Sequence, residues 1–139
     1  MKIFTDGGAR GNPGLAAGAF VVYLGDKIVH EEAKFIGKKT NNVSEYTALI
    51  MALSWLLDNS EKYEKQDVTF LLDSELVTKQ MQGFYRIKNK NLILLAAKAK
   101  ELAEKYKGRL IFNFVPREKN KRADRLANDV LDKKTLPLF

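Results

Sequence analysis

The hydrophobic period first changes along this chain near residue 41, and that change limits the folds open to it. Before it, apolar residues cluster in short runs separated by Gly, Pro, Asn and Asp, the signature of strands and turns. Lys2–Gly8, Ala17–Leu24 and Ile28–Ile36 read as strands, with Gly7–Gly14 as a long connection and Gly25-Asp26 as a tight turn. The first third is therefore expected to be an antiparallel meander. Beyond it the period lengthens: Tyr46, Leu49, Ile50, Leu53 and Leu57 fall on one face of a helix spanning Asn42–Leu57.

Helical and strand patterns then alternate. Val68–Leu72 is a continuous apolar run of the kind a buried central strand carries. A short helix, Ser74–Gln82, follows. The stripe Leu92, Leu95, Ala96, Ala99, Ala103, Tyr106 marks a longer one that Gly108 stops. Leu110–Val115 is the fifth strand, and Ala123, Leu126, Ala127 and Val130 mark a last helix capped by Asn120. The order βββαβααβα predicts an α/β domain in which parallel strands extend the meander through helical crossovers. At 139 residues the chain is one domain, able to bury about 68% of its extended surface.

Composition narrows the chemistry. The chain has no cysteine and one histidine, His30, expected at a surface or strand edge. Thiolate chemistry, disulfides, multi-histidine zinc sites and a Ser-His-Asp triad are thus excluded or disfavoured. No apolar run approaches the roughly 20 residues of a membrane span, and no apolar leader follows Met1-Lys2, so a cytoplasmic protein is expected. The net charge of +7 is uneven: residues 1–78 hold 8 basic and 11 acidic side chains, residues 79–139 hold 16 and 6. That division suits a polyanion binder with a separate cation-binding centre, although a solvated lysine-rich surface gives the same count.

Four carboxylates stand where strands end or helices begin. Each has an ordinary structural reading. Asp6 precedes Gly7-Gly8 as in an Asp-Gly turn, and Glu45 follows Asn42 by three residues as in a capping box. Asp73 could cap the helix after the fourth strand, and Asp124 suits the first turn of the last helix. Together, however, such positions gather at one edge of an α/β sheet. Carboxylates gathered there repel unless hard divalent cations accompany them, and two such ions can drive phosphodiester hydrolysis without Cys or His.

The string Phe4-Thr5-Asp6-Gly7-Gly8-Ala9-Arg10-Gly11-Asn12-Pro13-Gly14 resembles the opening motif of type 1 ribonuclease H. Thr40-Asn41-Asn42-Val43-Ser44-Glu45, Asp73-Ser74-Glu75-Leu76-Val77 and Asn120-Lys121-Arg122-Ala123-Asp124-Arg125-Leu126-Ala127 follow in the family's order. The resemblance covers essentially the whole chain, read as one catalytic domain, 1–139, with an apolar tail at 135–139. It implies a five-stranded mixed sheet with helices on both faces. The implied activity is endonucleolytic cleavage of the RNA strand of an RNA/DNA hybrid, leaving 5′-phosphate and 3′-hydroxyl ends.

By the same resemblance Asp6, Glu45, Asp73 and Asp124 are catalytic and hold two Mg²⁺ ions, for which Mn²⁺ can substitute. Glu45 approaches the ribose 2′-hydroxyl. Asn12, Asn41, Asn42 and Glu75 fall where the family touches the hybrid's minor groove, Thr40 near its DNA-phosphate pocket, and Asn89 where it meets the DNA strand. Turn and cap roles explain Asn12, Asn42 and Asn89 equally well. Two features depart from the commonest pattern. Only Gly83–Lys90 stands where some members insert a basic handle, which leaves substrate grip to residues such as Arg86, Lys88 and Lys90. Phe84 and Tyr85 beside them either flank a groove or pack under the loop.

The loop before Asp124 also lacks the histidine many members carry, and Arg117 is the candidate substitute. Its flanks, Val115-Pro116-Arg117-Glu118, resemble a handle-less archaeal and bacterial branch, for which double-stranded RNA is a further substrate. A monomer without membrane association is expected. A binding module without catalysis and an integrase-like transferase are the competing readings. The first is disfavoured by the four retained carboxylates, the second by the Asn-Asn-x-x-Glu element.

Overall fold

The computed structural model describes residues 1–63 and 66–135. Three antiparallel strands come first: β1 (Lys2–Gly11), β2 (Gly14–Leu24) and β3 (Lys27–Lys39). Then follow α1 (Asn41–Asp58), the short α2 (Ser60–Tyr63), β4 (Val68–Leu72), α3 (Glu75–Met81), α4 (Lys90–Lys105), β5 (Leu110–Phe114) and α5 (Lys121–Thr135). A 3₁₀ turn at Arg117–Lys119 precedes α5. The sheet order is β3-β2-β1-β4-β5, with β4 and β5 parallel to β1. The mixed five-stranded sheet expected from the sequence is thus the one that forms. The expected tail continues beyond Thr135, and 136–139 lie outside the described residues.

The first strand is longer than its glycines suggest. The strand expected to end at Gly8 continues to Gly11, pairing Gly7 with Gly18, Gly8 with Ala17 and Arg10 with Leu15. The turn shrinks to Gly11–Gly14, where Gly11 has φ +99°, open to glycine at little steric cost. Gly7 is needed instead for helix packing. A Cβ there would lie 2.1 Å from the carbonyl oxygen of Ser44 and 2.5 Å from the amide nitrogen of Glu45.

That contact seats α1 across β1 and β2, where Tyr46, Leu49, Leu53 and Leu56 meet Ile3, Phe20, Val22, Phe70 and Leu72 in the main core. Small residues do the same on the opposite face. Ala17 and Ala19 let Ala127 and Leu131 of α5 pack close, with Ala33 and Phe35 beside them.

Several local expectations are corrected. Helix α1 starts one residue early and its cap is Thr40, whose Oγ1 accepts from the Val43 amide at 3.2 Å, so the Asn42–Glu45 capping box does not form. Ser74, not Asp73, caps α3 by accepting from Val77. Asn89 does cap α4, accepting from Asn91 and Leu92. His30 does lie on the edge strand β3 as expected, half-buried and stacked on Trp55 with ring centroids 5.1 Å apart. Phe84 and Tyr85 stand exposed rather than packed under the loop.

Gly7→Ala is expected to cost about 1–3 kcal/mol through overpacking against α1. Gly8→Ala, with open space around the added methyl, should stay within about 0.5 kcal/mol of wild type. Urea unfolding followed by circular dichroism checks the pair, and equal stabilities would contradict the packing role of Gly7.

Candidate active site

The parallel pairing of β1 with β4 builds the site. The last rung of that ladder joins Thr5 to Leu72, so the next residues, Asp6 and Asp73, emerge side by side where strand order reverses. Glu45, in the second turn of α1, is brought to them by the Gly7 contact. One carboxylate oxygen from each of Asp6, Glu45 and Asp73 lies within 4.8 Å of the others. Asp124, in the first turn of α5, lines the same cleft and adds its charge to Asp6. The structure therefore brings all four sequence-selected carboxylates to one place.

Their electrostatics are unfavourable as they stand. Burial, the charge of Asp73 and its contact with Asp124 push Asp6 up from 3.8 to about 8. Burial, with the charges of Asp6 and Asp73, holds Glu45 well above its ordinary value. Asp73 is also raised by burial, opposed by a hydrogen bond from Asn120 and the charge of Arg117. Glu45 Oε2 is buried without a hydrogen-bond partner among the described residues. An all-oxygen, charge-dense set with an orphaned oxygen fits a hard divalent cation such as Mg²⁺.

The cleft of about 450 Å³ also admits Asn41, Asn42, Ser74 and Arg117. The other expected contacts lie around it rather than in it. Asn12 Oδ1 accepts from the Asn41 amide at 3.0 Å, and Asn41 Oδ1 accepts from the Ala9 amide at 2.9 Å, so the β1–β2 turn and the start of α1 are laced together at the rim. Thr40 is engaged as the α1 cap, while Glu75 and Asn89 are exposed on α3 and before α4. Sequence reasoning missed Arg10 and Asn128, which line the cleft beyond the carboxylates. Arg10 Nη2 reaches Asn128 and Asp132 on α5. The i, i+4, i+8 spacing of Asp124, Asn128 and Asp132 on one helix face was the available signal.

Residues 4–130 match the family model described as reverse transcriptase-like. The bifunctional protein Rv2228c of Mycobacterium tuberculosis is 41% identical over 95% of this chain and 35% of its own length. Ribonuclease HI of Halobacterium salinarum is 41% identical over 95% of this chain and 64% of its own. The structure superposes on that of LC11-RNase H1 in complex with an RNA/DNA hybrid with a TM-score of 0.92 and 42% identity, covering 97% of this chain and 99% of that one.

The chain belongs to the ribonuclease H family. It spans about a third of the length of the first curated relatives it matches. The two-sided helix packing and strand order are those expected of a ribonuclease H fold. No helix among the described residues is long and apolar enough to cross a membrane.

The raised carboxylates of this ribonuclease H site give stability a definite pH dependence. A folded-state value above the unfolded one means that Asp6 binds a proton the unfolded chain has already lost. Its contribution is intact below about pH 4 and is lost as pH rises through about 8. A divalent cation held there would relieve the repulsion, so Mg²⁺ is expected to raise Tm more at pH 8 than at pH 5. Calorimetric melting with Mg²⁺ or EDTA checks this; an equal Mg²⁺ increment at both pH values would contradict it.

Proposed function

We propose that this chain is an endoribonuclease that hydrolyses the RNA strand of an RNA/DNA hybrid, its carboxylates Asp6, Glu45, Asp73 and Asp124 holding two divalent cations. Mg²⁺ is the proposed metal and Mn²⁺ a working substitute. The observation that carries this reading is the convergence of buried acidic oxygens in an open cleft. It is supported by near-complete overlap with a relative solved in complex with such a hybrid. Bound cations would supply activation of a water and stabilisation of the departing 3′ oxygen, leaving a 5′-phosphate.

The chain's own residues orient the substrate. Glu45, buried at the cleft floor, has a carboxylate suited to the ribose 2′-hydroxyl, the group that distinguishes RNA from DNA. Asn41 and Asn42 line the cleft, and Asn12, laced to Asn41, extends its polar rim; these amides, with Glu75, suit a minor groove that displays hydroxyls and base edges. Thr40 and Asn89, at the starts of α1 and α4, take the DNA strand, Thr40 near a phosphate. Arg117 lowers the cost of charge on Asp73 and is placed to meet a phosphate or stand in for the absent histidine. Arg86, Lys88 and Lys90, all exposed, give the polyanion its electrostatic attraction. The chain acts as one catalytic unit and as a monomer in the cytoplasm.

One panel tests the reading: labelled RNA/DNA hybrid, duplex RNA, duplex DNA and single-stranded RNA, with Mg²⁺, Mn²⁺ or EDTA. The hybrid should be cut with either metal and spared in EDTA. Asp73→Asn should lower the rate by more than the roughly 10–100-fold typical of losing an outer-shell partner. An intact hybrid with both metals would overturn the function, and full activity in Asp73→Asn the residue assignment. The duplex-RNA lane decides whether that substrate is added, as the Val-Pro-Arg-Glu flank suggests.

A further inference from the structure

Asn120 has the sequence position of a helix cap and does not behave as one. It sits just before α5 and is 2% exposed. A capping asparagine accepts from the helix amides through its side-chain oxygen. Here the nitrogen is used instead: Nδ2 donates to the carbonyl oxygen of Thr5 at 2.8 Å and to Asp73 Oδ2 at 3.1 Å. Both partners are acceptors, so only the nitrogen can face them. The residue's own carbonyl accepts from the amide of Asp124 at 3.2 Å.

One side chain and its backbone thus touch three segments of the acidic centre: the residue before Asp6, the carboxylate of Asp73, and the amide of Asp124. The arrangement carries a penalty. Oδ1 of Asn120 is buried with no hydrogen-bond partner among the described residues. An orphaned buried acceptor is unfavourable, and a helix cap would have used it. The side chain's contribution at this position is therefore its donor.

We propose that Asn120 is a positioning residue for the cation site, fixing the rotation of the Asp73 carboxylate and tying it to the segments that carry Asp6 and Asp124. This rests on the metal-dependent reading above. Outer-shell donors of this kind orient ligating carboxylates, and their loss typically weakens metal binding about 10–100-fold.

Mg²⁺ titrations of the metal-free protein, followed by ¹H–¹⁵N NMR, test it in wild type, Asn120→Ala and Asn120→Asp. The expected result is a roughly 10–100-fold weaker Mg²⁺ affinity in both variants, because neither side chain can donate a hydrogen bond to the Asp73 carboxylate. In wild type, the Asn120 side-chain amide resonances should shift as Mg²⁺ is added. That measurement needs no variant, so it stands even where a substitution prevents folding. Folded variants with wild-type Mg²⁺ affinity, or wild-type amide resonances unmoved by saturating Mg²⁺, would overturn the assignment. Failure of the functional reading is separate, because it appears as a wild type that does not cut the hybrid.

Discussion

Three carboxylates held close together under partial burial are the constraint on which the rest of this structure depends. Two unit charges 4.8 Å apart interact by about 3–4 kcal/mol at an effective dielectric near 20. A single such repulsion is a large share of the roughly 5–15 kcal/mol that stabilises a domain. Asp6, Glu45 and Asp73 could relax by moving apart, yet each is anchored by backbone. Asp6 and Asp73 follow the last rung of the β1–β4 ladder, and Glu45 lies within a helix pressed against Gly7. The fold therefore holds a charge arrangement that protons or cations must complete.

The surrounding architecture serves that end. A glycine lets α1 approach β1, and alanines let α5 approach β2, so two helix starts meet the middle of β1 and the end of β4. Along the chain, acidic side chains outnumber basic ones up to residue 78, and the remainder is strongly basic. In the proposed function a polyanion would be attracted by the basic residues and met by cations at the acidic ones, a division the bare net charge of +7 conceals. Arg117 and Asn120 link the two, since both act on Asp73 from the basic segment before α5.

Much of this was legible in the amino-acid pattern. The strand-to-helix change of period gave the element order, because apolar spacing directly reports which face is buried. What escaped was local competition. Gly7 and Gly8 resemble a turn, and only the tertiary packing reveals that the strand continues through both and that Gly7 is needed for a helix rather than a loop. Thr40, Asn41 and Asn42 are all competent caps, and sequence alone does not say which one the entry geometry selects. Asn120 fits a cap motif in sequence while its amide turns toward a residue 47 positions away, a choice fixed by tertiary packing. The four carboxylates were individually ordinary; their order along the chain, through its resemblance to a family, made them a set.

The dependence of this centre on a cation can be measured through the protons it displaces. With Asp6 raised to about 8 by burial and by its acidic neighbours, the metal-free site holds a proton near pH 7 that a bound cation must expel. Calorimetric titration of Mg²⁺ into the metal-free protein at pH 7, in buffers of different ionisation enthalpy, reports that number. The expected result is net release of protons to the buffer, reduced in Asp73→Asn, which removes a charge that raises Asp6. Mg²⁺ binding with no proton release would contradict the claim that buried, mutually repelling carboxylates define the site.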